Sequence, residues 1–173
     1  MSGYVGPMLD HKLLGIYLND HLAGSTVGVE LAKRAAKENQ GTPYGDVLTQ
    51  VAAEIDEDRD ALQRLMDALE IKRDHPKVMA GWVAEKLGRL KPNGQILGYS
   101  PLSRLVELES LALGITGKLS LWEALTEVAG EDARIDLEEL QRLSERAERQ
   151  RKQVWDVRQR AAREAFAAQV PVP

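Results

Sequence analysis

The sequence predicts an all-α fold, a four-helix bundle with one long crossover that carries an extra short helix. Three observations predict it. Apolar residues recur at helical spacings of three and four along the chain, and no segment shows the alternation of a half-buried strand. Thr42-Pro43, Asp74-His75-Pro76 and Ser100-Pro101 each set a proline beside a capping residue, a helix-opening signal. Four long periodic segments are joined by a short, a long and a short connection.

The first helix is predicted over 9–38, with an inward stripe of Leu14, Leu18, His21, Ser25, Gly28, Ala32 and Ala35. Asn39-Gln40-Gly41 ends it. Thr42 as cap and Pro43 at the first position start the second helix, 43–72, whose stripe is Val51, Ile55, Asp58, Leu62, Leu65 and Leu69. One position of that apolar line is a carboxylate. A shorter amphipathic helix follows over 76–90, marked by Met79, Trp82, Val83, Leu87 and Leu90. Lys91-Pro92-Asn93-Gly94 then reads as a turn.

Leu105, Leu108, Ala112, Ile115, Leu119 and Trp122 keep helical phase over 101–129. Gly114 and Gly117 each cost about 1 kcal/mol against alanine. The unbroken stripe argues for one helix in which these glycines admit a close neighbour. Gly130 ends it. The last helix, 132–168, carries Ala133, Leu137, Leu140, Ser144, Ala147, Arg151, Val154 or Trp155, Arg158 and Ala162 inward. The tail from Val170 is expected to fray.

The 173 residues are read as a single domain, 1–173. Each long helix spans on the order of 43 Å or more at about 1.5 Å per residue. The short connections make antiparallel hairpins. The long one is sufficient to return the chain along the bundle, so helices two and three are expected to run parallel.

There is no cysteine and there are three histidines, His11, His21 and His75, which excludes disulfide scaffolds, thiolate metal sites and cysteine nucleophiles. A net charge of −4 does not describe a general nucleic-acid binder. The N-terminus lacks the basic start and apolar core of a secretory signal, and no stretch approaches about 18 uninterrupted apolar residues. The expectation is a cytoplasmic protein without a membrane partner.

Helix lengths and connections, with Tyr17-Leu18-Asn19-Asp20-His21 in the first helix and Leu105-Val106-Glu107-Leu108-Glu109 in the third, resemble the ferritin-like superfamily over residues 8–168. The resemblance implies that fold and, in carboxylate-bridged members, a two-metal centre built with Glu-x-x-His motifs. No glutamate of this chain has a histidine three residues on. On helix four, Glu148 is followed three residues on by Arg151, and a guanidinium cannot ligate a cation. The metal residues therefore do not carry over, and the leading expectation is no cofactor.

The inward polar residues require an account, because an unpaired buried charge costs several kcal/mol. Folding the first hairpin about residue 41 brings His21 within about a turn of Asp58. Folding the second about residue 130 brings Glu109 level with Arg151. The first reading is two buried pairs, His21 with Asp58 and Glu109 with Arg151, that fix helix register. The second is a variant site for iron or manganese held by His21, Asp58 and Glu109, with Glu54 nearby. Glu107 is placed further from the core than Glu109.

Charge is unevenly spread, acidic over 46–70 and basic over 142–163. Arg142, Arg146, Arg149, Lys152, Arg160 and Arg163 form either a solvated helix face or a surface for a partner, with Trp155 and Phe166 beside them. The leading functional expectation is a non-enzymatic structural or protein-interaction bundle, self-associating as a homodimer through an exposed face. A metal-binding, redox or iron-storage protein is the first alternative. A nucleic-acid-associated protein using the basic last helix is the second, weakened by the acidic second helix and by the absence of a groove-reading motif.

Overall fold

A computed structural model describes residues 9–74 and 99–167. Four long helices make up most of it, and the described residues contain no strand. The helices are α1 (His11–Glu38), α2 (Gly45–Ala68), α3 (Pro101–Val128) and α4 (Leu137–Phe166), with a short 3-10 turn at Ala129–Glu131. The expected helix over 76–90 lies outside the described residues.

Local chemistry fixes most of the helix ends. The Asp10 carboxylate accepts from the backbone N–H groups of Lys12 and Leu13, satisfying donors that the first turn of α1 leaves free. Ser100 caps α3 by accepting from the Ser103 N–H, with Pro101 at the first position as expected. Asp136 caps α4 through Glu138 and Glu139. The second helix departs from expectation. It opens at Gly45, and the Thr42 hydroxyl, which donates to the Asn39 carbonyl and accepts from the Tyr44 N–H, tightens the preceding turn instead. Gly41 holds that turn at a φ of +72°, and a Cβ on Gly45 would sit 2.8 Å from the Asn39 carbonyl oxygen.

Side-chain pairs give the helix directions. Lys33 meets Asp56 at 2.7 Å and the Asn19 amide donates to the Lys72 carbonyl at 3.0 Å, so α1 and α2 are antiparallel. Arg104–Glu164 at 3.2 Å and Arg158–Glu109 at 3.0 Å set α3 antiparallel to α4. The Arg104 guanidinium lies over the Tyr44 ring near the start of α2 and α3, and Asp58 meets Lys118 further along both. Those two helices therefore run in the same direction. Packing joins α1 to α3 and α2 to α4 as well as the partners within each hairpin.

The core is a continuous cluster that includes Leu18 and Val29 of α1, Leu62 and Met66 of α2, Leu108 and Trp122 of α3, and Ala147 and Val154 of α4. Each fully buried large aliphatic side chain stabilises by about 1.5–3 kcal/mol, which makes this cluster the main cohesive term. The α2 stripe is as expected apart from half-buried Leu65, and Asp58 is 1% exposed within it. In α1 the middle of the stripe is shifted, for Leu22 and Val29 are buried while His21, Ser25 and Gly28 are half-buried. In α4, Leu143 and Gln150 replace Ser144 and Arg151 as inward residues, and Trp155 is 50% exposed. Gly114 and Gly117 do not interrupt α3.

Candidate functional site

The centre of the bundle holds a charged cluster rather than a purely apolar layer. Asp58 of α2 accepts from Lys118 Nζ of α3 and pairs with Arg146 of α4. Gln150, fully buried on α4, donates to Asp58 at 3.2 Å and to Glu54 at 3.1 Å, while its carbonyl oxygen accepts from Lys118. Burial pushes the Lys118 ammonium below the usual lysine range, and the neighbouring Asp58 carboxylate opposes that shift. Arg146 also reaches Glu57 at 2.8 Å, nearer the surface. The cluster ties α2, α3 and α4 together through one carboxylate.

A second buried carboxylate lies toward the start of α3. Glu107, 1% exposed, accepts from Arg34 of α1 and from the Tyr99 hydroxyl at 2.8 Å. Asn39 donates to the Tyr99 oxygen at 3.0 Å and accepts from Arg104 at 2.6 Å. Burial raises the Tyr99 phenol well above the ordinary range, so it remains a donor to Glu107. This network fixes the end of α1 against the start of α3.

These contacts correct both expected pairs. His21 does not meet Asp58, because the first hairpin turns later than residue 41. With Asn19 level with Lys72, the residue opposite His21 on α2 is near Leu69, about three turns beyond Asp58. The His21 ring instead makes an edge contact with Tyr17 at 4.6 Å, and burial lowers its pKa, which favours the neutral imidazole. Glu109 pairs with Arg158 rather than Arg151. The turn from Ala129 to Asp136 is longer than the two residues expected, which shifts the α3–α4 register by about two turns. Arg151 is exposed and pairs with Glu148 at 2.6 Å. Glu107, expected further out than Glu109, is the buried one. Packing against both α1 and α4 widens the covered face of α3 beyond a single stripe.

The four candidate metal residues do not converge. Glu54 and Asp58 share Gln150, but Glu109 is engaged by Arg158 and His21 faces Tyr17. Among the described residues, no three histidine, aspartate or glutamate side chains are placed to hold one ion. Lys118 and Arg146 occupy both oxygens of Asp58, and two cations there oppose a metal ion by direct repulsion. As placed, these four residues do not fit an iron or manganese centre.

Most of the basic charge on α4 is neutralised on the spot. Arg142 pairs with Glu139, Arg146 with Glu57 and Asp58, Lys152 with Asp156, and Arg160 with Glu164. Arg149 and Arg163 are exposed on the same helix. What the outer face of α3 and α4 offers beyond charge is apolar surface. Leu113 is 74% exposed and Trp155 50% exposed, and they line a groove with Ala112 and Thr116. The Arg158 guanidinium stacks 4.8 Å from the Trp155 ring centre. Glu109 and Glu148, with Arg151 and Lys152, stand around the groove.

No family model, no curated protein and no solved structure matches this chain. Among the described residues, no helix is long and apolar enough to cross a membrane.

Proposed function

We propose that the protein is a non-enzymatic interaction bundle of ferritin-like architecture that associates with a second copy of itself through the α3–α4 groove. The observation that carries this reading is Leu113 and Trp155, two large apolar side chains exposed in one groove between polar flanks. Tryptophan is enriched among the few residues that dominate association energy, and an apolar centre with a charged rim is the usual anatomy of an interface. The rim favours a self-partner. A twofold interface brings the same surface patch to both sides, and this patch carries acids (Glu109, Glu148) and bases (Arg151, Lys152, Arg158) together.

The polar core supports a scaffold rather than a catalytic role. Asp58 is held by Lys118, Gln150 and Arg146, so its carboxylate is engaged from three sides in joining helices. Sedimentation equilibrium tests the proposal. Wild-type protein should approach twice 19.2 kDa as concentration rises. Leu113→Glu, a substitution at an exposed position, should remain at monomer mass and melt where wild type melts at concentrations too low for it to dimerise. A wild-type monomer across the range, or a Leu113→Glu dimer, refutes it.

A further inference from the structure

Away from the α3–α4 groove, α1, α2 and α3 enclose a cleft of about 310 Å³, at the lower end of the roughly 300–1,000 Å³ range of small-molecule sites. Its sides are Gly24 and Gly28 on α1 and Gly114 and Gly117 on α3. Gly114 and Gly117 were expected to admit a close neighbour. They do not: a Cβ built on any of the four meets nothing within 4 Å. Each glycine still costs its helix about 1 kcal/mol against alanine. Their missing methyl groups make room for the cleft itself.

A second observation points to what enters. Trp122 lines the same cleft and is 1% exposed, and its indole N–H has no acceptor among the described residues. A buried donor without a partner carries an unrelieved desolvation cost, which a ligand acceptor would remove. Inside the cleft the charged residues are matched, Lys118 by Asp58 and Arg59 by Asp56 and Asp60, while Asp20 stands exposed at the rim beside His21 and adds a further carboxylate against an anion. An incoming anion would have to compete with those carboxylates, and an incoming cation with the two bases. Most of the remaining wall is aliphatic, including Leu31, Ile55 and Ile115, and the Ser25 and Ser110 hydroxyls at the cleft donate to carbonyls of their own helices.

We infer that this cleft binds an uncharged, apolar small molecule carrying one carbonyl-type acceptor, which receives the Trp122 indole N–H. Isothermal titration calorimetry with 2-nonanone, nonanoate and nonane tests the inference on the full chain. The ketone should bind saturably at one per chain, more tightly than nonanoate. Nonane should bind about three- to tenfold more weakly than the ketone, the range of one neutral hydrogen bond. Gly117→Leu, which fills the cleft, should weaken ketone binding at least tenfold, with circular dichroism reporting that the helices remain. Trp122→Phe should reduce ketone affinity to near that of nonane while leaving nonane affinity within about twofold. If Trp122→Phe does not fold, Gly117→Leu and the smaller Gly28→Val decide. No saturable ketone binding, tighter nonanoate binding, or ketone affinity unchanged by filling the cleft overturns the inference.

Discussion

Replacing Asp58 by alanine should be among the most damaging single changes in this bundle. The carboxylate is 1% exposed and meets two cations and one amide. Its loss has unequal consequences for them. Arg146 keeps Glu57, near the surface. Lys118 keeps a hydrogen bond to the neutral Gln150 carbonyl and only the more distant pull of Glu54, and its side chain is 14% exposed. Removing one member of a buried pair typically costs about 3–5 kcal/mol, because the other charge stays buried without compensation. For a chain of this size that corresponds to a melting temperature lower by roughly 10 °C.

Urea unfolding followed by far-ultraviolet circular dichroism measures the loss directly. The double variant Asp58→Leu/Lys118→Met should recover most of it, since an apolar pair of similar volume does not strand a charge. The pH dependence provides a further check. Burial already lowers the Lys118 pKa, and removing Asp58 lowers it further. The unfolded state then holds more protons than the folded state between that lowered value and the ordinary 10.5. The variant should therefore regain stability relative to wild type as pH rises from 7 to 9. A single-variant loss below about 0.5 kcal/mol, or a double variant as unstable as the summed singles, would refute the reasoning.

Other outcomes follow from the same contacts. Glu107→Gln should destabilise by about 1–3 kcal/mol in urea unfolding, less than Asp58→Ala, because the stranded Arg34 is 37% exposed and reaches water. Gly24→Ala and Gly114→Ala should each stabilise by up to about 1 kcal/mol, since the added methyl meets no atom within 4 Å. For His21, burial lowers the folded pKa below 6.5, so the unfolded state binds the extra proton first. Its contribution to stability is fully present above pH 6.5 and declines as pH falls through that value. Thermal melts of His21→Gln should show a shallower decline than wild type between pH 7 and pH 5.

Asp58 was legible as a buried residue because it sits in strict phase between Ile55 and Leu62 on a helix with one covered face. Its partners were not, since they depend on where each hairpin turns, and two added residues in a turn move the opposite helix by more than half a turn. Lys118 nonetheless left a trace in the sequence as the single basic residue between Leu105 and Ala129. Gln150 left another, in phase with Leu143, Ala147 and Val154. Glu107 was harder to see. A helix covered on two sides buries residues outside one stripe, and α3 carries apolar side chains around most of its circumference. Gly114 and Gly117 were visible, but close packing and an open cleft require the same small residue, and only the observed packing separates the two.

Thiol accessibility at Thr116 tests the proposed association most directly, because the chain has no cysteine of its own. Thr116 is exposed in the α3–α4 groove, and Ala53 is exposed on α2. The Thr116→Cys thiol should react more slowly with a maleimide as protein concentration rises, while the Ala53→Cys thiol keeps a constant rate. Equal, concentration-independent rates at both positions would contradict self-association through this groove.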